Sequence, residues 1–221
     1  MCHDGSVRTA ILEFVRPLVW LVARVYFGVR YEGVHRVPLT GPLIIAPNHV
    51  SYADPPLVSI PVRRPIYYMA WRRLFKVPGL AWLIRWAGAF PVELETTDTR
   101  ATREAVRLLQ AGAALMIFPE GGRSVDGRLQ PFKPGAFRLA CSLEVPVLPV
   151  TILGGHEAWP PHQRLPRPGR ITVVYHPPVV PKPGDDLRSS AQELERKVRV
   201  TIASRLPPHQ QPVDLNVTRQ T

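Results

Sequence analysis

The chain has 221 residues, of which 45% are hydrophobic and 20% charged, so it is long enough to bury a core and too apolar for a disordered chain. Its net charge of +11 points to a polyanionic partner such as nucleic acid, anionic lipid or a phosphorylated substrate. Two cysteines, Cys2 and Cys141, exclude a disulfide framework and a four-ligand zinc site, and make a reducing compartment the default.

The first segment, Met-Cys-His-Asp-Gly, lacks the basic cluster and cleavage pattern of a secretory signal. The apolar run from Ile11 to Val29 is interrupted by Arg16, Pro17 and Arg24, which argues against a simple membrane span. Ile11, Phe14, Val15, Leu18, Val22, Val25 and Tyr26 recur at helical spacing. This pattern fits a helix lying in a membrane interface, and equally an amphipathic helix packed on the core.

Leu43–Ala46 reads as a short buried strand ended by Pro47, and Ile66–Ala70 as a second. Trp71 to Ala87 reads as helical at both ends, interrupted at Pro78-Gly79. Ala89–Val92 is a third strand. Asp98 is placed to cap a helix with Ala101, Ala105, Leu108 and Leu109 on one face. Ala113–Phe118, bounded by Gly112 and Pro119, is expected as a central strand. Pro134 is expected to open a helix over Gly135–Leu143 at a position that favours proline. Val147–Leu153 and Ile171–Tyr175 read as strands, with a Pro-rich surface loop at 160–168 between them. Ser190 and Glu193 form a capping-box pattern before a last helix, with Leu194, Val198 and Ile202 on one stripe. The polar tail from Pro207 is expected to be disordered.

Strands alternating with helices give an α/β fold: a single layered domain with a mixed, largely parallel central sheet flanked by helices, plus an N-terminal amphipathic helix. The expected division is 1–32 for the N-terminal amphipathic membrane-interface helix, 33–205 for the main folded domain and 206–221 for a flexible tail.

Charge is uneven. Between Pro61 and Val92 stand six basic residues (Arg63, Arg64, Arg72, Arg73, Lys76, Arg85) and no acidic one, interleaved with Tyr67, Tyr68, Trp71, Phe75, Trp82, Trp86 and Phe90. Such a mixture suits a lipid headgroup interface, single-stranded nucleic acid, or a solvated basic face over an ordinary core.

Two short runs carry the chemistry. In Asn48-His49-Val50-Ser51-Tyr52-Ala53-Asp54, a histidine follows a strand at a loop rim, with an aspartate that can fix its tautomer. Asp54 before Pro55 also fits a plain helix cap. No third ligand stands at a spacing that indicates a metal site. In Phe118-Pro119-Glu120-Gly121-Gly122-Arg123-Ser124, a Gly-rich loop follows a buried strand, where ligand loops of α/β domains sit. Its glycines permit close backbone approach, and Arg123 offers a planar fork for a phosphate. A Gly-rich turn with a surface arginine is the plainer reading.

Taken together, these runs resemble the glycerolipid acyltransferase family, in particular its bacterial 1-acyl-glycerol-3-phosphate acyltransferase-like members with an HxxxxD motif. Gly88-Ala89-Phe90-Pro91-Val92 and Val145-Pro146-Val147-Leu148-Pro149-Val150 match two further blocks of that family in order and spacing, so the resemblance covers about Gly33 to Tyr175. It implies an O-acyltransferase of phospholipid biosynthesis. His49 and Asp54 would be catalytic, and Glu120, Gly121, Gly122, Arg123 and Ser124 substrate-binding. It further implies acyl-CoA or acyl-carrier-protein as donor, a lysophospholipid acceptor, no cofactor, no metal and no nucleic acid. The expected acceptor is 1-acyl-glycerol-3-phosphate, giving phosphatidic acid. The expected location is the cytoplasmic face of the cell membrane, peripheral or monotopic. The family's Gly-Ala-Phe-Pro-Val block is normally followed two residues later by an arginine that helps hold the acceptor phosphate. Here Glu93 and Leu94 follow, and Arg85, Arg100 or Arg103 are the available substitutes. Acylation of another lipid and thioester hydrolysis are the alternatives.

Overall fold

A computed structural model of the chain describes residues 16–93, 98–182 and 186–212. The predicted apolar positions Ile11, Phe14 and Val15, and also Leu94, lie outside them. Seven strands form one sheet: β1 Arg30–Glu32, β2 Leu43–Pro47, β3 Ile66–Trp71, β4 Ala89–Val92, β5 Ala114–Met116, β6 Val147–Leu153 and β7 Thr172–Tyr175. Their spatial order is β1-β7-β6-β2-β5-β3-β4. The five strands β6, β2, β5, β3 and β4 run parallel, whereas β7 lies antiparallel to β6 and carries β1 parallel to itself.

The helices are α1 (described over 16–26), α2 Asp54–Ser59, α3 Leu80–Trp86, α4 Thr99–Gln110, α5 Gly135–Ser142, α6 Gly155–Ala158 and α7 Leu187–Ala203. They cover both faces of the sheet, so the central strands read as unbroken apolar runs rather than alternating ones. Leu43 and Ile45 face a core shared with Ala23, Phe27, Leu57 and Val58. Ile44 and Ala46, on the opposite face of the same strand, pack with Ala105, Leu109, Phe137, Leu194 and Ile202. These four side chains are fully buried.

Several local expectations need correction. The last helix starts at Leu187, not after Ser190, because the Asp186 carboxylate accepts from the Arg188 and Ser189 amides and caps it four residues earlier. Glu193, freed from capping, pairs with Lys197 one turn on. Pro134 is the N-cap of α5 rather than its first helical residue. The central strand is only Ala114–Met116, and β2 runs on through Pro47. The segment expected to be flexible from 206 is folded as far as Pro212: Leu206 and Gln210 are buried, and the Gln210 carbonyl accepts from the Leu129 amide at 3.0 Å. Arg64, counted in the basic stretch, donates to the carbonyls of Pro38, Gly41 and Gly112 and ties three loops together.

Over the described part of α1, Ala23 reaches the core, as does Phe27 just after the helix, while Leu18, Trp20, Leu21, Val22 and Val25 are exposed. The described members of the apolar stripe, Leu18, Val22, Val25 and Tyr26, therefore face away from the core. Trp82 and Leu83 on α3 are exposed as well, at 69% and 50%.

Candidate active site

Strands β2 and β5 are parallel neighbours in register from Leu43–Ala114 to Ile45–Met116, so the segments that follow them emerge at the same edge of the sheet. Asn48 holds the first segment against β6. Its side-chain amide donates to the Ile152 carbonyl at 3.1 Å and accepts from the Ile152 amide at 2.7 Å. The backbone can then leave the sheet at residue 48 and carry His49 to the rim.

His49 and Asp54 are brought together. The Nδ1 atom of His49 lies 2.9 Å from Asp54 Oδ2, with the aspartate fully buried and the histidine side chain 17% exposed. The same Oδ2 accepts from the Val50 amide at 2.7 Å and the Ser51 amide at 2.8 Å. Asp54 is thus the first residue of α2, turned backward onto its own approach loop, and it does not cap the helix that it opens. Its Oδ1 is buried without a partner. A carboxylate can only accept, which assigns the imidazole proton to Nδ1 and leaves the lone pair on Nε2. The ring stacks on Phe118, with centroids 3.9 Å apart. Gly155 closes the other side: a Cβ there would meet Val50 Cγ2 at 2.9 Å and Asp54 Oδ1 at 3.3 Å.

The second loop is locked onto the first. Glu120 Oε1 accepts from the His49 amide at 2.6 Å and Oε2 from the Gln130 amide at 2.8 Å, while the Ser124 amide donates to the His49 carbonyl at 2.8 Å. Burial pushes the Glu120 carboxyl up to about 8, against the pull of the Gln130 and His49 amides. Both its oxygens serve backbone amides, so this side chain holds the loop. Ser124 is also buried, its hydroxyl donating to Asp126 Oδ1 at 2.9 Å. Gly121 has φ +72°, and a Cβ there would meet the Lys133 side chain at 2.5 Å, so this position requires glycine. Gly122 is exposed, with open space around it. Arg123 sits over the Tyr52 ring, its guanidinium carbon 3.5 Å from the centroid, and its Nη1 is buried without a hydrogen-bond partner.

Asn48, Tyr52, Gln130 and Gly155 were not picked out as site residues in the sequence. Asn48 and Tyr52 sit inside the first run, but their roles depend on Ile152 and Arg123, which lie far along the chain. Of the substitutes for the absent arginine, Arg85 lies over the Phe75 ring, Arg103 turns back to the Thr99 carbonyl and Arg100 is exposed. Glu93 pairs with Arg72. Ser51 Oγ accepts from the Ala53 amide and is buried. Among the described residues, no group of three or more His, Cys, Asp and Glu side chains is placed to hold a metal ion.

Residues 28–153, more than half of the chain, match the family model described as Acyltransferase. This chain belongs to the acyltransferase family. The mouse 1-acyl-sn-glycerol-3-phosphate acyltransferase alpha is 31% identical over 199 residues, covering 82% of this chain and 69% of the mouse one. A 1-acyl-sn-glycerol-3-phosphate acyltransferase of Chlamydomonas reinhardtii is 31% identical over 177 residues, covering 77% of this chain and 50% of its own length. The chain spans about half the length of the Brassica napus, Chlamydomonas reinhardtii and Arabidopsis thaliana relatives it matches. Among solved structures, the 1-acyl-sn-glycerophosphate (LPA) acyltransferase of Thermotoga maritima superposes with a TM-score of 0.72 at 30% identity, covering 91% of this chain and 83% of the other. The family assignment and the mixed, mostly parallel sheet expected from the sequence both hold.

Proposed function

We propose that this protein transfers a fatty acyl group from a thioester, acyl-CoA or acyl-carrier-protein, to the free hydroxyl of 1-acyl-glycerol-3-phosphate, giving phosphatidic acid. The observation that carries the reading is the His49–Asp54 pair: one ring nitrogen is held by a buried carboxylate, and the histidine keeps a partly exposed edge at the sheet rim. In this reading His49 Nε2 takes the acceptor hydroxyl proton as the oxygen attacks the thioester carbonyl carbon. The C–S bond then breaks, and the proton passes from the imidazolium to the leaving sulfur. Asp54 stabilises the imidazolium between these steps. Ser51 supports direct transfer without an acyl-enzyme, because its hydroxyl is buried and faces the Ala53 amide. Arg123 binds the acceptor phosphate, with a donor nitrogen that has no partner within the protein. The names of the relatives support the choice of acceptor.

The protein works, in this reading, attached to the cytoplasmic leaflet. The exposed apolar side of α1 and the exposed Trp82 and Leu83, beside Lys76 and Arg85, fit an anionic membrane interface. Among the described residues, no helix is long and apolar enough to cross a membrane. Full-length protein mixed with anionic liposomes at low salt is expected to float with them; protein that stays in the unbound fraction overturns the attachment.

The decisive experiment is an acceptor screen with one labelled acyl-CoA and a parallel acyl-carrier-protein series. Lysophosphatidate is expected to be the best acceptor, over glycerol-3-phosphate and lysophospholipids with larger headgroups. Release of free fatty acid without ester product would replace transfer by hydrolysis.

A further inference from the structure

Tyr52 occupies a place that the chemistry above does not use. Its neighbours Ser51 and Ala53 are fixed by the same turn that builds the catalytic pair: the Ser51 amide donates to Asp54 Oδ2 and the Ala53 amide to Ser51 Oγ. The ring therefore leaves a rigid turn in one direction. Arg123 lies over one part of it at 3.5 Å, and Trp159 packs against it with centroids 5.4 Å apart at 46°. Trp159 is held in turn, its indole N–H donating to the Gln163 carbonyl at 3.2 Å. The result is an Arg123–Tyr52–Trp159 row that joins the loop after β5, the loop after β2 and the segment after α6.

A guanidinium face lying on an aromatic ring is satisfied by the ring quadrupole. Its N–H donors lie in the guanidinium plane, so they point outward along the ring rather than into it. Arg123 Nη1 is buried with no acceptor in the protein, so the row costs a desolvated donor unless a ligand oxygen meets it. Tyr52 itself is 46% exposed, an unusual place for a large ring unless it supports a neighbour or meets a ligand.

We infer that Tyr52 is a positioning residue for the acceptor phosphate: its ring fixes the Arg123 fork at a set distance from the His49–Asp54 pair, with Trp159 as the backstop. This rests on the reading of Arg123 as the phosphate contact. Because one four-residue turn sets both the imidazole and the ring, the reacting hydroxyl and the phosphate are gauged from the same piece of backbone. The tyrosine hydroxyl is not required, only the ring.

The test compares Tyr52→Ala and Tyr52→Phe in the full chain. With lysophosphatidate, Tyr52→Ala is expected to raise KM about tenfold with kcat within about twofold, while Tyr52→Phe stays near wild type. In an Arg123→Ala background, Tyr52→Ala is expected to add nothing further. A binding readout free of catalysis accompanies these: glycerol-3-phosphate is expected to raise the melting temperature of wild type and Tyr52→Phe but not of Tyr52→Ala. The inference fails if Tyr52→Ala leaves KM and the melting shift intact, if Tyr52→Phe behaves like Tyr52→Ala, or if the Tyr52 effect persists without Arg123. It also fails if glycerol-3-phosphate does not stabilise the wild type. Absence of any phosphatidate from the wild type, with that stabilisation intact and ring-dependent, overturns the proposed reaction instead and leaves the phosphate subsite standing.

Discussion

Two histidines stand at ends of the same sheet, and their surroundings differ in every respect that matters to chemistry. His49 follows β2, keeps an exposed edge and has a carboxylate on Nδ1. His176 follows β7 and is buried, with its Nε2 2.8 Å from Thr151 Oγ1. That hydroxyl donates to the Ile202 carbonyl at 3.1 Å, so it accepts from His176 Nε2–H. Burial, helped by Arg205 and Arg36, brings the His176 imidazole down to about 4. One histidine faces a buried carboxylate at 2.9 Å and keeps 17% of its side chain exposed. The other is held neutral by what surrounds it and serves as a hydrogen-bonding strut between β7, β6 and α7.

Removing the imidazole at each place sharpens the contrast. His49→Ala is expected to reduce acyl transfer at least about 10²-fold with an unchanged melting temperature; near-full transfer by this variant would reject the general-base role. Asp54→Asn comes next, about tenfold to 10²-fold down. The asparagine oxygen can keep the Val50 and Ser51 amides, and its NH₂ can take the place of the unpartnered Oδ1, so circular dichroism should show an intact fold. On the proposed mechanism, the loss is that of the charge that steadies an imidazolium. A loss as large as that of His49→Ala, with the fold intact, would make the aspartate more than an orienting partner.

The smallest effect on activity belongs to the buried histidine. Between about 6.5 and about 4 the unfolded His176 binds a proton that the folded one refuses, so stability falls as pH drops through that window. His176→Gln keeps an N–H for Thr151 and removes the titration. It is expected to transfer acyl groups like wild type at neutral pH and to unfold at a lower pH in an acid titration. An unchanged acid midpoint would show that other groups set the acid limit.

Much of this was legible from residue order. Long apolar runs marked β2, β3, β4 and β6 to within a residue, and Asp98 capped α4 as expected, accepting from the Arg100 and Ala101 amides. Edge strand β1 escaped notice because Arg30-Tyr31-Glu32 carries no apolar run and gains strand form only by pairing with β7. Ser190 looked like a cap because its spacing to Glu193 fits the pattern, yet Asp186 reaches the free amides first. The His49–Asp54 contact lies within a five-residue interval, so its partners could be guessed. The Glu120 clamp on the His49 amide spans 71 residues, and nothing local announces it. The outward apolar face of α1 was likewise undecided by periodicity, since a stripe at helical spacing does not say which way it turns.

Asn48 adds a last point. Its side-chain amide pairs with both polar groups of Ile152, in the manner of another peptide unit of β2. The sheet's hydrogen bonding therefore extends one rung beyond the polypeptide that made it. His49 is the next residue along the chain, so its backbone is anchored to the sheet rather than to a free loop. An imidazole placed this way inherits the fixed spacing of the strands beneath it, and any step that the proposal assigns to it starts from a position set by the core.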